Sequence, residues 1–371
     1  MEQNTKKNYD LFIVGNGFDV SCEYKTTYND YLNSGKSNNS RLFSCFQNSN
    51  EFGVFSNSDW NGFEKMLCQY LCFIKYLFIS KNVSRMFTNK TYDGYNSYTF
   101  TINRDILNDI NMFLSFKSIA ISLGNIFTLT TFDKRVISDY YDFINELDGS
   151  NFFPIRLIFH DHFKNVEAKD EVVEKRIIDK INKELNLLEE GLQSYINNET
   201  SKNACIPSFL SELIMHYNFK RLLSFNYSSC AEKILSVKPK YSFYIHGNVN
   251  SQIVLGIEEN MISNQTINND SEYCVFFKRY RRILKDTSLN FQNRVISPLN
   301  NYSIIGIYGH SLDLSDKSVF YQIFNLKANY DIFCYENIEI YKERLNKLVG
   351  LDLFDDLYSK NKINFIDISK P

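Results

Sequence analysis

The chain has 371 residues, of which 44% are apolar and 23% charged, and a formal net charge of −2. That much apolar material builds a core, so wholesale disorder is excluded. A near-neutral chain has no bulk attraction to DNA or to an anionic membrane, so nucleic-acid binding would need a local patch.

The eight cysteines contain no C-x-x-C pair, and a chain of this size needs no disulfide staples. Free thiols fit a reducing compartment. The N-terminal residues lack the apolar core of a signal peptide. The longest apolar stretch, Leu71 to Ile79, is broken by Lys75 and falls far short of the ~20 residues that span a bilayer. These features predict a cytoplasmic protein with no membrane contact.

In chain order, the first element is the apolar run Leu11-Phe12-Ile13-Val14, followed at once by Gly15-Asn16-Gly17. A short buried strand entering a Gly-rich turn opens many α/β sheets. Lys65–Ile79 predicts an apolar helix in which Cys68 and Cys72 share a face. Glu171–Ile196 carries apolar residues at 173, 177, 181, 185, 188, 192 and 196, the stripe of a long amphipathic helix. After Pro207 short apolar strands recur at Arg221–Phe225, Ser242–Ile245, Ile253–Leu255, Ser303–Ile307, Asp331–Cys334 and Ile363–Ile366. Helical patterns at Glu272–Lys285, Ser315–Leu326 and Glu336–Leu348 alternate with them. Strands alternating with helices predict a Rossmann-like, mostly parallel α/β sheet covered on both faces. Residues 1–59 and 216–371 would form this core. Residues 60–215 would be a helical insertion lobe over the mouth of the cleft, or a bundle that staples a homo-oligomer. Asn260–Ser271 reads as a loop.

Four motifs fall at predicted strand ends, where open α/β sheets bind ligands. Gly15-Asn16-Gly17-Phe18-Asp19 offers a phosphate-binding turn and a ribose-binding carboxylate. Val20 stands where the dinucleotide fingerprint wants a third Gly, which disfavours a dehydrogenase. Phe225-Asn226-Tyr227-Ser228 and Ile245-His246-Gly247 place polar groups after two later strands. Gly309-His310-Ser311-Leu312-Asp313, with Asp316 following, repeats the strand, Gly turn and helix layout. No G-x-x-x-x-G-K-[ST] or G-x-S-x-G occurs, so a P-loop NTPase and a nucleophile elbow are excluded. His160-Asp161-His162 lacks further ligands for a metal. The basic run Lys278, Arg279, Arg281, Arg282 and Lys285 reads as a solvated helix face, with a nucleic-acid patch as the alternative.

The order of these motifs resembles the bacteriophage abortive-infection family AbiH. The likeness includes Trp60…Phe63-Glu64 and Leu255-Gly256 and runs from about residue 10 to 325. It is also similar to a sirtuin-type NAD-binding core. That resemblance implies an antiphage NAD hydrolase with Asn226 and His246 as the catalytic pair and NAD as substrate or ligand. It implies no separate cofactor, and a phage component as trigger. Gly15, Asn16, Gly17, Phe18, Asp19, Ser228, Gly247, Gly309, His310, Ser311 and Asp316 would line the nucleotide. Sirtuin-like cores usually carry Asp where this chain has Ser228. That departure keeps a second reading open, a nucleotide-binding sensor without chemistry. A nucleic-acid-targeting toxin is the third.

Overall fold

A computed structural model describes residues 6–34, 40, 42, 64, 67, 68, 71, 87–92, 98–102, 170–258, 271–287 and 291–368. Residues 260–270 of the expected loop Asn260–Ser271, His160-Asp161-His162, Trp60, Phe63 and Cys72 lie outside these residues.

The chain begins with β1 (Lys7–Tyr9) and β2 (Leu11–Val14), then two short helices, α1 (Asn16–Ser21) and α2 (Tyr28–Leu32). A capping box between Thr27 and Asp30 starts α2. β3 (Phe87–Tyr92) and β4 (Tyr98–Ile102) pair as an antiparallel hairpin, so the stretch expected to be a helical lobe also contains strands. α3 (Asp170–Glu199) is 30 residues long and buries the predicted stripe from Ile177 to Ile196. α4 (Ser208–His216) leads into β5 (Tyr217–Phe219), which pairs parallel with β1.

The main sheet follows: β6 (Leu222–Ser224), α5 (Cys230–Ile234), β7 (Ser242–Tyr244), α6 (Lys278–Leu284), β8 (Ile304–Tyr308), α7 (Lys317–Phe324), β9 (Asn329–Cys334), α8 (Ile338–Val349), α9 (Leu351–Ser359) and β10 (Ile363–Asp367). Its six strands lie in the order β10-β9-β8-β2-β6-β7, and every pairing is parallel. Along the chain the strands first step outward from β2 to β6 and β7. They then return to the other side of β2 and continue through β8, β9 and β10. The order reverses between β2 and β8.

Alternation along the strands splits the apolar residues between two faces. Leu11, Ile13, Leu223, Ile305, Ile307 and Ile332 point to one face, where α7, α8 and α9 supply Phe320, Phe324, Leu345, Leu348 and Leu357. Phe12, Val14, Leu222, Tyr308 and Phe333 point to the other, with Phe18 from α1, Leu210 and Leu213 from α4, and Ala231 from α5. Both faces are thus covered, which is why β2 is buried along its whole length.

Ile253–Leu255 is buried but joins no strand. Its polar groups are held otherwise: Val254 N–H donates to the His246 carbonyl, Leu255 N–H to Glu189 Oε1, and Tyr227 Oη–H to the Val254 carbonyl. A three-residue apolar run does not distinguish a strand from buried coil, because both exclude water equally.

Two compact units emerge. One comprises residues 1–36, 189–261 and 276–371 and contains the six-stranded sheet; the other comprises 37–188 and 262–275. Glu64, Leu67, Cys68 and Leu71 belong to the second unit and are helical and buried. Among the described residues no helix is long and apolar enough to cross a membrane.

Candidate functional site

The strand register places four turns at one edge. Val14 pairs with Ser224 and Tyr308, and Ser224 pairs with Tyr244. The chain therefore leaves the sheet at the same level before Gly15, Phe225, Ile245 and Gly309. Asn226 and His246 each stand two residues beyond the paired Ser224 and Tyr244. This carboxyl edge flanks the reversal between β2 and β8, where open parallel sheets place their ligand crevice.

The two glycine turns grip each other. Gly15 N–H donates to the Tyr308 carbonyl at 3.1 Å and Gly17 N–H to the Gly309 carbonyl at 2.8 Å. Gly309 has φ +68°, and a Cβ there would lie 2.3 Å from the Phe18 nitrogen. Phe18 N–H turns back to the Gly15 carbonyl. Three of the N–H groups that the sequence offers to a phosphate are thus used within the protein. Asn16 is tied in as well, its Oδ1 accepting from Thr26 Oγ1 at 2.8 Å. The Phe18 ring is fully buried, 5.7 Å from that of Tyr308.

The buried polar side chains fall into two groups. In the first, Ser228 Oγ–H donates to Asp19 Oδ2 at 2.6 Å. Burial pushes the Asp19 carboxyl up from 3.8 to about 6, and the neighbouring Ser228 and Asn226 side chains restrain the rise. Among the described residues neither Asp19 Oδ1 nor either side-chain atom of Asn226 meets a partner in hydrogen-bond geometry, although Asn226 is 4% exposed. Native proteins seldom strand buried polar atoms in this way.

The second group surrounds Asp316. Its Oδ1 lies 2.8 Å from His246 Nε2 and 3.6 Å from Lys278 Nζ; its Oδ2 lies 3.4 Å from His310 Nε2. Lys278 Nζ also donates to the Ser315 carbonyl at 3.0 Å. His310 Nδ1 accepts the Leu312 N–H at 3.0 Å, which puts its proton on Nε2, toward Asp316. Burial opposes ionisation of Asp316, but Lys278 and the two histidines hold its carboxyl well below the usual range. Burial drives His246 down from 6.5 to about 4; Asp316 resists that fall, while Lys278 and Arg282 add to it. His246 is therefore a neutral imidazole at neutral pH, with Nδ1 buried and without a hydrogen-bond partner among the described residues. Gly247 turns the chain immediately after it, with φ +72°. Ser311 is exposed, and its carbonyl accepts from Arg344 Nη1 at 3.3 Å.

The basic run corrects the solvated-face expectation. Lys278, Arg281 and Arg282 are buried, whereas Arg279 is exposed. Arg281 pairs with Glu189 at 2.8 Å and Arg282 with Glu258 at 3.0 Å; Lys285 also donates to Glu189. Ser318 Oγ–H completes the Glu258 site at 2.8 Å. Neither Glu189 nor Glu258 was singled out from the sequence. Glu189 carried a signal: it lies four residues after Leu185 and three before Leu192, on the buried stripe of α3. Among the described residues no cluster of His, Cys, Asp and Glu is placed to hold a metal ion.

A two-faced parallel α/β protein with a buried polar site at its carboxyl edge is the class that these features define. The family model described as bacteriophage abortive infection AbiH matches residues 11–335, from β2 to just past β9. The chain belongs to the AbiH family, which carries a phage abortive-infection role. No curated protein and no solved structure matches it.

Proposed function

We propose that this protein is an abortive-infection effector that binds a nucleotide at the carboxyl edge of a Rossmann-like sheet and hydrolyses NAD at the nicotinamide–ribose bond. The observation that carries the reading is the buried pair of Asn226 and Asp19: the amide bears on the carboxyl, yet among the described residues neither Asn226 side-chain atom nor Asp19 Oδ1 meets a partner in hydrogen-bond geometry. The strand order, which is third, second, first, fourth, fifth, sixth along the chain, supports a dinucleotide crevice at that place. The sirtuin-type order of motifs belongs to the same reading.

In this mechanism Asn226 and Asp19 hold the ribose. Nicotinamide leaves with the electron pair of its bond to the ribose, through an oxocarbenium-like state. A water oxygen bonds to the ribose carbon and gives its proton to His246 Nδ1. The products are nicotinamide, ADP-ribose and a proton. Since the Gly15 and Gly17 N–H groups are engaged, the phosphates would lie toward the exposed Ser311 turn instead of the first glycine turn. A phage component is the proposed trigger.

Incubation of the purified protein with NAD, read by mass spectrometry, tests this. Release of nicotinamide and ADP-ribose supports it. No release, with lysate from infected cells present, removes it. One observation favours the sensor reading: a His246 held near 4 is a weak base at neutral pH. NAD or ADP-ribose binding without turnover would establish that reading. The nucleic-acid reading loses its patch, because three of its five basic side chains are buried in ion pairs.

A further inference from the structure

We infer that Asp316 is a positioning residue: it locks His246 as the Nε2–H tautomer and leaves Nδ1 as the lone pair that acts on the ligand. The inference deepens the hydrolase reading and rests on it only for its activity measurement.

The argument starts from what Asp316 can accept. An ionised carboxylate has no proton to give, so the 2.8 Å contact with His246 requires the proton on Nε2. A neutral imidazole carries one ring proton, so Nδ1 is then an acceptor. The same logic holds on the other oxygen. His310 takes the Leu312 N–H on Nδ1 and must turn Nε2–H toward Asp316. Asp316 is thus surrounded by donors: two imidazoles and the Lys278 ammonium. Its side chain is 9% exposed and both oxygens face these groups, so it has little left for a sugar or phosphate. The role read from sequence, a ligand contact, gives way to a role behind the ligand contact.

The arrangement also suits a proton transfer. When Nδ1 takes a proton, the new imidazolium lies 2.8 Å from a carboxylate already in place, which requires no rearrangement. Lys278 and Arg282 face the same ring environment with the opposite sign, and Glu258 faces Arg282. Removing Lys278 should therefore ease protonation of His246, while removing the Asp316 charge should hinder it. The tautomer should depend on Asp316 alone.

Nitrogen-15 NMR of protein labelled at histidine reads this directly, since the chain has only five histidines and a His246→Gln variant assigns the signal. The expected wild-type signature at pH 7.5 (about one unit above the ~6.5 of free histidine) is protonated Nε2 and bare Nδ1. In Asp316→Asn the amide presents either a donor or an acceptor, so the single tautomer should be lost. Asp316→Glu should restore it in part. Nicotinamide release by Asp316→Asn should fall about 10²–10⁴-fold in kcat with KM changed less than about twofold. If Asp316→Asn does not fold, Lys278→Met carries the test: His246 should titrate at higher pH and keep its Nε2–H tautomer. A wild-type His246 protonated at Nδ1 overturns the inference. So does an Asp316→Asn protein with the wild-type tautomer, or a Lys278→Met protein that loses it. If the tautomers behave as expected but no variant or wild type releases nicotinamide, the positioning role stands and the hydrolase reading fails.

Discussion

Ser228 Oγ–H reaches Asp19 Oδ2 over 2.6 Å between two side chains that are each 1% exposed. It joins the turn after β6 to helix α1, 209 residues earlier, and it is the larger of two side-chain restraints, with Asn226, on a carboxyl raised by burial to about 6. Ser228→Ala should cost about 1–3 kcal/mol, because a buried acceptor loses its donor. The loss should be larger at pH 8, where Asp19 is ionised, than at pH 5, where it is largely protonated. Urea unfolding at both pH values measures this. Equal losses would mean that the bond does not report on the Asp19 charge.

Asn226 gives the opposite expectation. Among the described residues its amide atoms meet no partner in hydrogen-bond geometry and bear only on the Asp19 carboxyl, so Asn226→Ala removes a desolvated polar group at little cost in contacts. Thermal stability should stay within about 0.5 kcal/mol or rise, while nucleotide binding or turnover is lost. A residue kept for packing would lower the melting temperature and leave binding intact. Thermal unfolding and calorimetric NAD titration of one variant separate these outcomes.

The sheet was legible because its signals are local. Leu11–Val14 is an uninterrupted apolar run stopped by Gly15, and such a run has few homes except a buried parallel strand. Strand ends carrying Asn226, His246 and Gly309 followed from the same punctuation. What escaped was long-range pairing. Lys278, Arg281 and Arg282 look like a solvated face because no sequence rule shows that Asp316, Glu189 and Glu258 will meet them. The first glycine turn was misleading for a related reason. Glycine permits close approach of a phosphate or of another backbone, and here Gly17 packs on Gly309. The α3 stripe revealed the helix, but Glu189 within it needed a partner 92 residues away to explain its burial.

The displaced titrations of His246 and Asp19 predict a pH signature. His246 falls from 6.5 to about 4 and Asp19 rises from 3.8 to about 6, in both cases chiefly through burial. Between about pH 4 and 6 the unfolded chain binds the extra proton at His246, so stability from that group rises with pH. Asp19 works the other way: the folded chain binds the extra proton, and stability is lost as pH rises toward 6. The two slopes oppose each other in the wild type. Asp19→Asn removes the opposing slope, so stability should climb more steeply than in the wild type from pH 4 to 6.5, the difference being on the order of 3 kcal/mol at most. Urea titrations across that range check the sign. A profile for Asp19→Asn no steeper than that of the wild type would show that the fold does not hold Asp19 protonated.

The buried ion pairs make the last prediction. Glu189 accepts from Arg281 at 2.8 Å, from Lys285 and from the Leu255 N–H at 2.7 Å, and it is 3% exposed. The cluster therefore fastens α3 and α6 to the irregular segment that follows His246. Breaking a buried pair costs about 3–5 kcal/mol, because the surviving charge keeps its desolvation penalty without its partner. Lys285 remains beside Glu189 in Arg281→Met, so the expected cost is at the lower end, about 3 kcal/mol. The exposed neighbour provides the control, since Arg279→Met should change stability by less than about 0.5 kcal/mol. A nucleic-acid surface would behave differently. Both substitutions would then weaken salt-dependent RNA or DNA binding and neither would destabilise the fold. Chemical denaturation of the two variants, beside binding isotherms at two salt concentrations, decides between a structural clamp and a binding face.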